Sequence, residues 1–123
     1  DSWQSCRGGS SYHNEHGQPV INLTKFPDMR AMNEKAHDLQ LSTGFYLNNC
    51  LCMEKEATPA MYAYDVFTAV GLGFDGVKLD ACGQERNLTY YQQLFNRTGY
   101  RMLLENCHWG IDVPTAESCP YHV

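Results

Sequence analysis

The chain of 123 residues is 43% hydrophobic and carries a formal net charge of -5 at pH 7. This length is enough for one modest hydrophobic core and argues against a second domain. Its 9 Lys and Arg residues argue against a nucleic-acid-binding surface, and no apolar run is as long as a membrane span.

The first part of the chain predicts a helix followed by a strand. Pro27 begins the helix, which covers residues 27–40 and has apolar residues at helical spacing. Those residues are Met29, Met32, Ala36 and Leu39. A strand over residues 41–47 follows and ends in the polar pair Asn48-Asn49.

The second part repeats this order twice. A helix over residues 59–70 precedes a strand over residues 76–79. A third helix, capped by Asn87 or Thr89, runs to residue 96 and precedes a strand over residues 101–105. This alternation predicts parallel βαβ units, which place functional residues at the carboxyl ends of their strands. The polar residues at those ends are Asp1, Asn48, Asp80 and Asn106.

The segment Val77-Lys78-Leu79-Asp80 places a lysine and a carboxylate two residues apart at the end of a predicted strand. Side chains two residues apart on a strand project from the same face, so Lys78 and Asp80 point into one space. An ammonium group beside a carboxylate keeps the acid ionised, which suits a nucleophile. An ordinary ion pair at a strand end is the alternative explanation of this spacing.

Six cysteines predict a disulfide framework, although their spacing does not reveal the pairing. They are Cys6, Cys50, Cys52, Cys82, Cys107 and Cys119. A zinc site is the competing interpretation, but Cys50-x-Cys52 lacks the two-residue spacer of zinc knuckles and no second close pair completes it. We therefore expect disulfides rather than a metal site.

Three Asn-x-Thr sequons, at Asn22, Asn87 and Asn96, accompany the cysteines. Sequons and paired cysteines together indicate a glycoprotein of the secretory pathway. The chain begins at Asp1, with neither an initiator Met nor a signal-like segment. We therefore expect either that a leader was removed or that this is a piece of a longer protein.

Several segments in unbroken order resemble the α-galactosidase and α-N-acetylgalactosaminidase (melibiase) family of retaining glycoside hydrolases. The early segments are Asp1-Ser2-Trp3, Lys25-Phe26-Pro27-Asp28-Met29 and Gly44-Phe45-Tyr46. The later ones are Asp65 with Phe67, then Gly73-Phe74-Asp75-Gly76-Val77-Lys78-Leu79-Asp80-Ala81-Cys82, Leu94-Phe95-Asn96-Arg97-Thr98-Gly99 and Glu105-Asn106-Cys107-His108-Trp109. The Lys-x-Asp-x-Cys strand is the specific part of the resemblance.

The resemblance implies an α/β fold in which parallel βαβ units form part of a (β/α)8 TIM barrel. Residues 1–123 would extend from about the end of the second strand to the loop after the fifth, as one partial glycoside hydrolase catalytic domain. A closed barrel typically needs about 250 residues. We therefore expect a fragment of a barrel.

The resemblance also implies hydrolysis of terminal α-linked galactose or N-acetylgalactosamine with retention, through a covalent glycosyl-enzyme on Asp80. Lys78 would bind sugar hydroxyls and hold Asp80 anionic, and Asp1 would bind the hydroxyls at C4 or C6. Trp3 would form part of the pocket wall, and Tyr46 would be the aromatic residue beside the nucleophile. No cofactor or metal is implied, because this chemistry uses carboxylates alone.

The family pattern has further implications. It pairs Cys107 with Cys119 and Cys82 with Cys52 or Cys50. Cys6 would then pair with whichever of Cys50 and Cys52 is not bonded to Cys82. The partner would be an α-galactoside-type carbohydrate, and the protein would be secreted or lysosomal. A homodimer stays open for the full-length form.

Three features depart from the family pattern. His108 stands where the galactosidases have a glutamate that reads the sugar's 2-substituent, and a packed loop residue is its alternative role. The loop over residues 53–58 is shorter than the Gly-rich loop of the family. The acid/base aspartate lies beyond this segment, and neither Glu105 nor Asp112 matches it. We expect Glu105 to face away from Asn106 in packing or a surface ion pair.

Two other classes of protein fit the same residues. A non-catalytic sugar-binding domain could use Asp1, Trp3, Lys78 and Asp80 as a lectin-like pocket, and the unmatched acid/base favours this alternative. A small disulfide-bonded structural domain would show no saturable binding of a galactoside.

Overall fold

The computed structural model describes residues 2–6, 11–47, 51–80 and 82–107. Within these ranges helices and strands alternate along the chain. In order they are α1 (Met29–Asp38), β1 (Gly44–Leu47), α2 (Pro59–Gly71), β2 (Gly76–Leu79), α3 (Leu88–Thr98) and β3 (Leu103–Asn106). The strands form a parallel sheet in the order β1-β2-β3. The predicted α/β class is confirmed, since parallel strands with interleaved helices fit part of a (β/α)8 barrel.

Side chains cap the amino ends of the three helices. Asp28, Thr58 and Asn87 each accept a hydrogen bond from the backbone N–H three residues later. Asn87 rather than Thr89 is therefore the cap of α3. The same helix ends at Gly99, whose φ of 71° lies in the left-handed region that glycine adopts without strain. In the part of the chain that the structure describes, no helix is both long and apolar enough to cross a membrane.

The buried face of α1 differs from the predicted one. Met32 and Leu39 are exposed, whereas the polar residue Asn33 is buried. The Asn33 amide donates to the Leu72 carbonyl at 2.8 Å, and its oxygen accepts from the Thr43 hydroxyl. A hydrophobic pattern cannot reveal this position, because hydrogen bonds from distant residues are what allow a polar side chain to be buried.

Pairing between strands sets where β1 and β3 begin. Both start later in the chain than predicted, because their residues pair one for one with the 4 residues of β2. The predicted bounds of β2 are confirmed, and those of α2 differ only at its last residue.

The two faces of the sheet differ in character. Phe45, Leu47, Val77 and Leu79 are buried on one face and belong to the hydrophobic core. On the other face Tyr46, Lys78 and Glu105 lie side by side in register, one on each strand. The strands of parallel sheets are usually apolar on both faces. The polar row therefore marks its face as the candidate site.

Asp75 connects the start of β2 to the preceding elements. Its carboxylate accepts a hydrogen bond from the Thr43 backbone N–H at 2.7 Å and lies 2.9 Å from Nε2 of His37. The Thr43 backbone hydrogen bond, with help from His37, holds the pKa of Asp75 below its ordinary value of 3.8.

We expect Asp75→Asn to be less stable than the unchanged chain at neutral pH, and the difference to shrink in acid. Because the folded-state pKa is depressed, the carboxylate stabilises the fold above its unfolded-state pKa, and this contribution is lost as the pH falls through the folded-state pKa. Urea unfolding of both proteins above and below pH 3.8 measures this. A difference in unfolding free energy that does not change with pH would contradict it.

Candidate active site at the carboxyl ends of the strands

Asp80 follows β2 directly and is only 4% exposed. Its backbone N–H donates to the Leu47 carbonyl at 3.2 Å, which extends the pairing of β1 with β2 by one step. The Tyr46 hydroxyl donates a hydrogen bond to the Asp80 carboxylate. This contact forms because Tyr46 is in register with Lys78, and Asp80 projects from the same face two residues later. The structure thus places an aromatic residue beside the expected nucleophile.

Lys78 forms an ion pair with Glu105, with Nζ 3.5 Å from a carboxylate oxygen. Both side chains are substantially exposed, at 42% and 61%. The ion pair expected for Glu105 is therefore present, but its partner is a predicted site residue. No ion pair joins Lys78 to Asp80 in the described structure, so the expected direct role of Lys78 in holding Asp80 anionic is not seen. The register of β2 and β3 explains this, because it sets Glu105 directly beside Lys78.

The side chain of Trp3 lies in the core and not in a pocket wall. It is 1% exposed, and its ring stacks on Phe45 with centroids 4.3 Å apart. Its indole N–H donates to the Tyr46 carbonyl at 2.7 Å. These contacts do not agree with the expected exposure to a sugar. They do hold the backbone of Tyr46, so Trp3 supports the site from behind. Asp1 and His108 lie outside the described residues, and their roles stay predictions.

The structure corrects the disulfide pairing. Cys6 forms a disulfide with Cys52. The predicted pairing of Cys52 with Cys82 is therefore wrong. The alternative, in which Cys52 pairs with Cys6, is confirmed. Cys82 is disulfide-bonded as well. Cys107 is a free thiol, which does not agree with the expected bond to Cys119. Cys119 itself lies outside the described residues.

The three sequons stay predictions as glycosylation sites. Asn87 and Asn96 are exposed, and Asn22 is partly buried in a turn. The side-chain oxygens of Asn22 and Asn87 accept backbone hydrogen bonds, whereas a glycan is attached to the amide nitrogen. These contacts are compatible with attachment at both residues.

A group of residues that could hold a metal ion lies apart from the sheet face. His13, Glu54 and Glu85 are buried, and one potential ligand atom from each lies within 4.8 Å of the others. The sequence suggested neither this group nor the position of Glu105 beside Lys78. The three residues of the group are far apart along the chain and match no metal-binding motif. Strand register, which decides the position of Glu105, is a tertiary property.

Comparison with solved structures gives two α-galactosidases. α-Galactosidase I from Mortierella vinacea superposes with a TM-score of 0.64 and 24% identity, over 86% of this chain and 29% of that chain. α-Galactosidase from Saccharomyces cerevisiae gives 0.62 and 18% identity, over 86% of this chain and 25% of that chain. No family profile and no curated protein matches the sequence.

This chain therefore spans less than a third of the length of either solved enzyme. At these identities the similarity concerns the fold and not the reaction. The chain has the fold of a segment of the α-galactosidase (β/α)8 barrel.

Proposed function

We propose that this chain is part of a retaining glycoside hydrolase that removes terminal α-linked galactose or N-acetylgalactosamine, with Asp80 as its nucleophile. The observation that carries the proposal is the buried Asp80 carboxylate, which accepts a hydrogen bond from Tyr46 at the carboxyl ends of neighbouring strands. Active sites of (β/α)8 barrels lie at this end of the strands. The likeness to α-galactosidases indicates the class of substrate.

In this proposal the Asp80 carboxylate attacks the anomeric carbon and the bond to the leaving oxygen breaks, which gives a covalent glycosyl-enzyme. Water then releases the sugar with its original configuration. The Tyr46 hydrogen bond orients the Asp80 carboxylate before the attack. We assign the binding of sugar hydroxyls to Lys78 and Asp1, and the recognition of the sugar's 2-substituent to His108.

A retaining enzyme needs a second carboxyl group about 5 Å from the nucleophile to protonate the leaving group. Glu105 lies on the same sheet face but pairs with Lys78. As the family resemblance implies, we place the acid/base outside residues 1–123. For the chain as given, the unmatched acid/base keeps a sugar-binding domain as the second candidate.

The test is hydrolysis of p-nitrophenyl α-galactoside and of the N-acetyl-α-galactosaminide by the full-length protein. Proton NMR of the first product should show the α-anomer, since two displacements at one carbon retain its configuration. Saturable binding of galactose without turnover would instead indicate the sugar-binding domain. If the protein shows neither turnover nor binding, the result indicates the structural domain.

Tyr46→Phe should lower kcat/KM of the full-length protein about 10- to 150-fold, which corresponds to about 1.5–3 kcal/mol for a hydrogen bond to a charged group. The ring is kept, so packing against neighbouring residues should change little. Steady-state kinetics on p-nitrophenyl α-galactoside measure the loss. Tyr64→Phe on α2 is the matched control, because Tyr64 lies outside the candidate site. Equal losses in the two variants would argue against a role for Tyr46 in the reaction.

A further inference from the structure

Four ionisable side chains are buried together beside the sheet, and we call them the buried acidic cluster. They are His13, Glu54, Asp65 and Glu85, each at most 5% exposed. Asp65 lies on α2, whereas the other three come from three separate loops. Two of those loops follow β1 and β2, the strands that carry Tyr46 and precede Asp80.

His13 is held between two carboxylates. Its Nε2 lies 3.1 Å from Asp65, and its Nδ1 lies 2.8 Å from Oε2 of Glu54. Asp65 is fixed in turn by hydrogen bonds from the Tyr12 and Tyr91 hydroxyls. Both ring nitrogens of His13 therefore contact a carboxylate, Nε2 that of Asp65 and Nδ1 that of Glu54. A carboxylate that orients a histidine in this way is the usual second sphere of a protein metal site.

Both carboxylate oxygens of Glu54 lie close to Nδ1 of His13, Oε1 at 2.9 Å and Oε2 at 2.8 Å. Its Oε1 accepts hydrogen bonds from the backbone N–H groups of Tyr12 and His13, at 2.9 and 3.0 Å. The Ser11 hydroxyl donates to the same oxygen. The carboxylate is therefore held in place by these donors, with both oxygens facing Nδ1 of His13.

Glu85 is the unexplained member of the cluster. It is 0% exposed, and among the described residues neither of its carboxylate oxygens has a hydrogen-bond partner. Burying a carboxyl group without a partner is costly. Burial, together with the charges of Glu54 and Asp65, raises the pKa of Glu85 to about 8. A fold that keeps this acid unpaired next to two other carboxylates lacks a positive charge at that point.

The charges of the cluster do not balance within the described chain. Three carboxylates share one basic partner, since the ion pairs of Glu54 and Asp65 both go to His13. Burial alone would lower the pKa of His13, but the hydrogen bonds that its ring donates to Asp65 and Glu54 raise it to about 9. Within the described residues, the cluster thus holds three carboxyl groups and a single imidazole.

We propose that His13, Glu54 and Glu85 bind a divalent transition-metal ion of the zinc class. Nδ1 of His13 and one oxygen from each glutamate would be the ligands, and Asp65 would orient His13 from outside. One imidazole with two carboxylates suits Zn²⁺, and the histidine disfavours Ca²⁺ and Mg²⁺. Ligand atoms within 4.8 Å of one another need only small shifts to reach bond distances of about 2 Å from one ion.

Two members of the cluster, His13 and Glu54, line a cavity of about 370 Å³. Its other lining residues are Ser11, Asn14, Lys55, Glu56 and Met61. The ion would link the loops after β1 and β2 to the segment before α1. It would therefore act on the fold, and this inference does not depend on the proposed hydrolase activity.

The experiment uses the 123-residue chain carrying Cys107→Ser and Cys119→Ser, because a free thiol also binds zinc and Cys119 is the predicted partner of Cys107. After treatment with EDTA, ZnCl₂ is added and binding is measured by calorimetry, with the melting temperature followed in parallel. We expect one equivalent of Zn²⁺ to bind and the melting temperature to rise. Co²⁺ in place of Zn²⁺ should give visible absorption bands.

Glu85→Gln and Glu56→Gln are the matched variants. Glu85→Gln should weaken Zn²⁺ binding by more than the roughly 10- to 100-fold that loss of an outer-sphere partner costs. Without metal it should melt no lower than the parent, because it removes an unpaired buried acid. Glu56 borders the same cavity but is exposed, so Glu56→Gln should bind normally. No Zn²⁺ uptake, or uptake that Glu85→Gln leaves unchanged, would overturn the proposal.

Discussion

Asp80→Asn in the full-length protein should reduce turnover of p-nitrophenyl α-galactoside by at least about 10,000-fold, as expected when a covalent nucleophile is lost. Asparagine has nearly the same shape and can still accept the Tyr46 hydrogen bond. It has no anionic oxygen, so the glycosyl-enzyme cannot form. Steady-state kinetics and circular dichroism of both proteins test whether activity is lost while the fold is kept.

Chemical rescue separates a nucleophile from a residue that only supports the pocket. In Asp80→Gly, azide should enter the space of the missing carboxylate, attack the same face of the sugar and give β-galactosyl azide. Asp38→Asn is the matched control, since Asp38 is exposed on α1, away from the sheet face. Full turnover by Asp80→Asn would refute the assigned role. If the parent shows no turnover and Asp80→Asn binds galactose with the same affinity as the parent, the sugar-binding alternative is favoured.

Replacing Cys6 and Cys52 together by alanine should lower the free energy of unfolding by about 4 kcal/mol, from the loop-closure entropy of a bridge of this span. The two cysteines are 46 residues apart, so the bond restricts a long stretch of the unfolded chain. The change is a large part of the total stability of a typical domain, which is about 5–15 kcal/mol. Urea unfolding followed by circular dichroism measures it.

Cys107→Ala is the comparison for the disulfide variant. Cys107 is a free, partly buried thiol, so its replacement closes no loop and should cost much less stability. If the variant with alanine at both positions 6 and 52 unfolds at the same urea concentration as the parent, the Cys6–Cys52 bond contributes nothing to stability under those conditions. Reduction of the parent protein by dithiothreitol should lower its stability at least as much as the double alanine substitution, because it also breaks the disulfide of Cys82.

The regular elements could be predicted because their signals are local. Pro59 stands at the start of α2, and Gly99 ends α3 in the left-handed conformation that glycine favours. The short apolar run of β2 matched the structure at both ends. Strand bounds were less accurate at β1 and β3, because a strand extends only as far as its neighbour pairs with it.

The candidate site was predictable in part. Lys78 and Asp80 are two residues apart, and side chains alternate between the two faces of a strand. Their position on one face could therefore be predicted from this alternation alone. Trp3 was assigned to the pocket wall, yet its ring lies under Phe45 and Tyr46. Whether an aromatic residue faces a ligand or the core depends on the packing of distant segments, which local pattern does not contain.

By itself the sequence determined the α/β class, the order of the elements and the position of Asp80 at a strand end, because each depends on residues close together in the chain. Only the tertiary structure decided the partner of Lys78, the bond between Cys6 and Cys52, and the meeting of His13 with Glu85. Those contacts join residues far apart in the chain. Strand register and core packing bring them together, and both are set by the fold as a whole.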